Sequence, residues 1–296
     1  MDETGESRAR RMWRAVEPYH ATVYFAPESQ AACTELGTRG YWMSYFALRA
    51  APLGAAPPEV VAALFYNFAP RLVARAVPDT WAVAPPERYL AVRLAAVDAA
   101  LHRVLGAEVL ASDAVAEAAG LAREAALAAP TAGRALGAAN AALPWPDAPH
   151  LVLWHAQTVL RELRGDGHVA ALLSAGLDPV ECGALLAGDI AMDQEWMRTR
   201  RGWTEQEWAE GLHRLSARGL VSPEGAVTPA GRALRAEVER ITDALADGAW
   251  TALGDARAER LAALVAPLVR TITTGDSFLR DNPMGLRPLP EPAPTG

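Results

Sequence analysis

Apolar residues recur at intervals of three and four along most of the chain, and runs with the strict alternation of a strand are few. Residues 58–76, PEVVAALFYNFAPRLVARA, open with proline and glutamate and then repeat Val, Leu and Phe at helical spacing. They predict a helix kinked or restarted at Pro70. Residues 87–106, ERYLAVRLAAVDAALHRVLG, follow the same period and end on glycine, so a second helix is expected there. In residues 202–245, Thr204 with Glu207 three positions later has the form of a capping box, and the helix behind it stops at Gly219. A short apolar pair, a turn at SPEG, a return strand AVT and a second cap at Thr228 then lead into a long helix. Helix, two short strands and helix make a winged-helix pattern.

The halves of the chain also align in order. APPEVVAAL (56–64) falls against DPVECGALL (178–186), with Pro57 against Pro179, Glu59 against Glu181 and Trp81 against Trp203 at one offset. TRGYWMSYFALRA (38–50) resembles LRGDGHVAALLSA (163–175), which adds to a pattern of degenerate tandem duplication. The expected fold is therefore mainly α, built of tandem winged-helix-like units with short β-wings. Its expected parts are an N-terminal lobe over 1–130, a linker over 131–149, a C-terminal winged-helix lobe over 150–282 and a proline-rich tail over 283–296.

Composition narrows the chemistry. With 296 residues, 51% of them hydrophobic, the chain can fill two ordinary cores or one large one. No stretch approaches the roughly 20 unbroken apolar residues of a spanning helix, and MDETGESRARR is unlike a signal sequence. A cytoplasmic protein without a membrane segment is expected. Cys33 and Cys182 are too few for a disulfide framework and are expected as reduced core residues. All 28 basic residues are arginine, which excludes Schiff-base and general-base lysine chemistry.

The net charge of −7 opposes a phosphate backbone unless a local basic patch overrules it. A helix entering the major groove at 205–218 should turn Arg, Lys, Asn or Gln outward. This one offers Glu205, Glu207 and Glu210 against Arg214 and Arg218, and SPEGAVT has no basic residue. The cluster RTRRG (198–202) reads as a solvated face.

Candidate chemistry concentrates in the first half. In WRAVEPYHATVYF, Trp13, Glu17, His20 and Tyr24 share one helical stripe, although Pro18 would kink or restart that helix. Glu17 and His20 are suited to general acid/base work with Tyr24 as proton donor. Glu-x-x-His is also the spacing of di-iron ligands, but a second such motif is missing, and no spacing signature supports a metal or haem at His20, so no metal or cofactor is assigned. His150 and His155 stand five apart on different helix faces, and Asp166 in RGDGH is expected to cap a helix after a turn. Arg39, Tyr45, Arg49 and Asn67 interrupt apolar runs, and Trp154 with His155 could line the same space. Arg49 should hold a carboxylate: Glu17, Glu35 or an anionic ligand. Aromatic walls with a few convergent polar groups predict a small-molecule pocket.

The run LSARGLV…VTPAGRALR resembles the MarR-type regulators, which implies a winged helix there and a dimerising, ligand-responsive DNA-binding protein. Over nearly the whole chain, EPYHATVYF, YFALRAAPLG, FYNFAPRLVARAVPDTW, LPWPDAPHLVLWHAQTVLRELRGDGHVAALL and NPMGL resemble a family of actinobacterial proteins known as helix-turn-helix. That resemblance implies a fold and no particular activity. Leu163 departs from it, since the family pattern often has histidine there. Two functions follow: a small-molecule-binding protein on a scaffold that has lost DNA recognition, with or without catalysis on an aromatic or anionic metabolite, or a ligand-responsive regulator that binds DNA.

Overall fold

The computed structural model describes residues 6–274, and every regular element among them is helical. Helix α1 (Arg8–Phe25) starts where Ser7 accepts from the Arg10 amide, and it continues through Pro18. α2 (Pro27–Leu36) and α3 (Gly40–Ala50) follow, then the short α4 (Pro58–Leu64), α5 (Pro70–Ala74) and α6 (Asp79–Val83). Pro70 indeed restarts the helix. Next come α7 (Pro86–Leu105), α8 (Ala107–Leu110), α9 (Asp113–Ala128), α10 (Ala135–Ala141) and the long α11 (Pro149–Ser174). The chain then forms α12 (Pro179–Asp189), α13 (Gln194–Arg201), α14 (Glu205–Ala217), α15 (Pro229–Leu253) and α16 (Asp255–Thr274).

Proline is used mainly as a starter. Seven helices (α2, α4, α5, α7, α11, α12 and α15) begin on it, where its fixed φ suits the first turn and its missing N–H leaves nothing unsatisfied. The capping box at Thr204 and Glu207 is formed, and Asp178 with Glu181 makes a second one at α12.

α11 runs through the middle of the molecule. Leu153 and Trp154 of this helix are buried with Tyr19 of α1, Leu101 of α7 and Leu261 of α16. A second apolar cluster joins Leu185, Met197, Trp208, Leu215 and Val238 from α12 to α15. A third, Phe46, Val61, Phe65, Val73 and Leu136, links α3, α4, α5 and α10. Each fully buried side chain of this size contributes roughly 1.5–3 kcal/mol.

Two expectations are corrected. Tandem winged-helix-like units with short β-wings do not occur: there is no β-strand among the described residues, so only the mainly α part of that expectation stands. The segments on either side of SPEG meet at a single antiparallel bridge, Val221 with Val227, flanked by Ser222 N–H to Ala226 O (2.7 Å) and Thr228 N–H to Leu220 O (3.1 Å). Thr228 already caps α15, which leaves too few residues for a ladder. The turn expected at 164–168 is also absent, because α11 passes straight through Gly165 and Gly167. Leu245 of α15 lies 3.3 Å from where a Cβ on Gly167 would sit, so close helix packing explains that glycine. The tail (283–296) and NPMGL lie outside the described residues. Among the described residues, no single helix is long and apolar enough to cross a membrane.

Candidate functional site

Periodicity places the site. On α3, Tyr41, Trp42, Tyr45 and Arg49 form a band one turn apart, and on α11, Arg161, Gly165, His168 and Leu172 form another. Between these bands lies a cavity of about 170 Å³. Tyr24 at the end of α1 and Asn67 and Phe68 after α4 close one side, and Trp196, Arg200 and Arg201 of α13 close the other. The aromatic wall is continuous: Tyr45 lies 5.4 Å from Tyr24 and 5.7 Å from both Trp42 and Phe68, centroid to centroid.

The charges beside it are unevenly matched. Arg49 donates from Nε and Nη2 to the two oxygens of Glu162, both at 2.9 Å, and from Nη1 to the Tyr45 hydroxyl at 3.1 Å. Arg161 Nη1 donates to Glu162 Oε2 at 2.6 Å. Two guanidiniums thus hold the buried Glu162 carboxyl well below its ordinary range, against the opposing effect of burial, and Arg49 is itself raised well above its usual value. Arg201 differs. Its side chain is buried, with its guanidinium 4.5 Å from the Phe68 ring, yet Nε has no hydrogen-bond partner and no described carboxylate pairs with it. Burial lowers its pKa accordingly. Arg200 beside it is exposed and lies over Trp196.

Behind Tyr24 sits a neutral imidazole. Thr158 spends its hydroxyl hydrogen on the Trp154 carbonyl (2.9 Å), so it accepts from His20 Nδ1 at 2.9 Å. That fixes the tautomer, and His20 Nε2 accepts from the Tyr24 hydroxyl at 3.1 Å. Burial, aided by Arg161, holds His20 well below its normal pKa, and burial also pushes the Tyr24 phenol up. Tyr24 therefore turns an oxygen lone pair, rather than its proton, toward the cavity.

The sequence candidates are distributed as follows. Tyr24, Tyr45, Arg49 and Asn67 line the cavity, with His20 directly behind. Glu17 and Trp13 line a smaller neighbouring space of about 20 Å³ with Arg164 and Trp250, and Glu17 makes no hydrogen bond to His20. Trp154 is core, donating to the His20 carbonyl at 3.2 Å. His155 packs edge-on against Trp145 at 4.8 Å, away from the cavity, and burial lowers its pKa to about 4. Arg39 is exposed and stands 3.7 Å from Asp79. Arg49 takes neither Glu17 nor Glu35 as its carboxylate but Glu162, 113 positions away in sequence. Sequence reasoning missed Arg161, Glu162, Trp196 and Arg201, and took Asp166 and His168 for a turn. Extending the helical period of 149–163 through the glycines would have brought the α11 residues onto one face.

A family model described as a helix-turn-helix family matches residues 9–279. The chain belongs to the helix-turn-helix family. No curated protein and no solved structure matches it. The family description points to a fold of the kind DNA-binding regulators use. In this helix-turn-helix chain α14, which follows α12 and α13, exposes Glu205, Gln206, Glu210, His213 and Arg214. Two basic residues on or beside it are engaged: Arg71 donates to both oxygens of Glu207 (2.7 and 2.6 Å), and Arg214 pairs with Asp178 and with Glu181. Arg218 binds Glu181 and the carbonyls of Ala175 and Gly176 at the end of α11.

Proposed function

We propose that the chain binds a small aromatic anion in the cavity between α3, α11 and α13, on a helix-turn-helix scaffold whose exposed helix α14 is not equipped to read DNA. The observation that carries this is Arg201, a buried guanidinium at the cavity with no anion of the protein beside it. A buried charge without a partner is costly, and a carboxylate or similar group on a ligand would relieve it through charge-assisted hydrogen bonds. Tyr41, Trp42, Tyr45 and Phe68 supply faces for a ring, and the Tyr24 oxygen suits a ligand hydroxyl or amine that donates. His20 behind Tyr24 gives that contact a route for a proton, so chemistry on the ligand would run through Tyr24 and His20, with Glu17 excluded by its position.

Equilibrium dialysis against benzoate, 4-hydroxybenzoate and indole-3-carboxylate, with the matching alcohols as uncharged controls, tests this. The acids should bind in preference to the alcohols, and Arg201→Gln should cost the acids at least tenfold, about 1.4 kcal/mol. Equal retention of acid and alcohol, or an unaffected variant, removes the anion site. Family membership favours a second function, a ligand-responsive regulator that binds DNA. A salt-sensitive electrophoretic shift of the DNA upstream of its own gene would support it.

A further inference from the structure

A second cluster of chemistry lies at the other end of α11, away from the cavity. Asp98 and His102 are one turn apart on α7, and His150 is the second residue of α11. His150 Nε2 lies 2.6 Å from Asp98 Oδ1, His102 Nδ1 lies 3.2 Å from the same oxygen, and the three donor atoms fall within 4.8 Å of one another. The imidazoles stand edge to face with centroids 5.2 Å apart.

We propose that Asp98, His102 and His150 form a site for a borderline divalent metal ion such as Zn2+, Co2+ or Ni2+. A carboxylate and an imidazole at i and i+4 of one helix, completed by an imidazole from the next, present the mixed O/N donor set these ions take, whereas Mg2+ and Ca2+ favour all-oxygen shells. Tetrahedral zinc, with bonds of about 2.0–2.2 Å, needs its donors roughly 3.3 Å apart. The Asp98–His102 spacing already suits it, and the Asp98–His150 contact must open by a fraction of an ångström. His150 is the fixed member. Its side chain is 9% exposed, and its backbone carbonyl accepts from the Tyr19 hydroxyl at 3.1 Å. Asp98 and His102 are 43% and 45% exposed, so both can turn, with His102 giving up a 3.0 Å bond to the Asp98 carbonyl. Their solvent-facing side leaves room for water at the remaining coordination position. The ion would clamp α7 to the start of α11.

Titration of the chelator-treated full-length chain with Co2+, followed by visible absorption, and with Zn2+ against a chromophoric chelator provides the test. One equivalent should bind, with a tetrahedral cobalt band, and Zn2+ should raise the melting temperature. Asp98→Asn and His102→Ala, both at half-exposed positions, should each weaken Zn2+ at least tenfold and abolish the thermal shift while leaving the circular dichroism unchanged. Absence of stoichiometric uptake by the wild type, or equal uptake by both variants, overturns the site.

Discussion

Arg161 stands between two buried carboxylates: its Nη1 donates to Glu162 Oε2 at 2.6 Å, and its Nε lies 3.5 Å from Glu17 Oε1. The two acids are treated unequally. Glu162 is also held by two nitrogens of Arg49, Nε and Nη2, whereas Glu17 Oε2 has no hydrogen-bond partner at all. Burial therefore wins at Glu17 and raises its pKa to about 7, despite the nearby guanidinium.

A pH dependence follows from that raised value. Between the unfolded carboxyl value of 4.5 and the folded value of about 7, the native state holds a proton that the unfolded chain has released. The stability conferred by protonated Glu17 is complete below 4.5 and is lost as pH rises through about 7. Glu17→Gln should flatten this decline, so the gap between variant and wild type widens by a few kcal/mol, at about 1.4 kcal/mol per pKa unit, from pH 4.5 to 7.5. Urea unfolding across that range measures it.

Removing Glu162 should be far more damaging than removing an exposed partner. Glu162→Ala leaves the buried Arg49 with no carboxylate and Arg161 with only Glu17 at 3.5 Å, and a loss of about 3–5 kcal/mol is expected. Arg39→Ala breaks only an exposed pair with Asp79 and should change stability by less than about 0.5 kcal/mol. Denaturant midpoints of the two variants give the contrast.

His155 and His168 should both be neutral at physiological pH. Burial lowers each to about 4, and His168 Nδ1 donates to Thr242, whose own hydroxyl hydrogen goes to the Val238 carbonyl. Depressed imidazole values make the opposite contribution to that of Glu17: it is present above the unfolded value of 6.5 and lost as pH falls toward 4. Imidazole NMR shifts that move with a midpoint near 6.5 in the folded protein would contradict both assignments.

Glycine at 231 is set by packing. A Cβ there would overlap the Leu220 carbonyl and lie 2.9 Å from Val227 Cγ1. Gly231→Ala should destabilise by about 1–3 kcal/mol, the usual cost of overpacking, whereas Gly120→Ala, with open space around it, should be neutral or stabilising. Thermal melts of the pair check this.

Local signals were the legible ones. The starts at Pro58 and Pro70, the capping box at Thr204, the cap at Thr228 and the stop at Gly106 all rest on a few neighbouring residues, and all are present. Val221 and Val227 have the residue types of strands, but Thr228 already caps α15 and leaves too few residues for a ladder. A minor part of the cavity is visible in the sequence as polar residues in apolar runs, such as Arg49 and Tyr45. The rest is hidden because Arg49 and Glu162 meet across 113 positions, and because Arg201 looks like one more solvated charge in RTRRG until tertiary packing buries it.

From Val152 to Leu160 every residue of α11 is buried, so its amides can meet solvent only when the surrounding helices come apart. Deuterium uptake along that stretch should therefore report the opening of the whole molecule, giving a built-in gauge against which every substitution above can be calibrated.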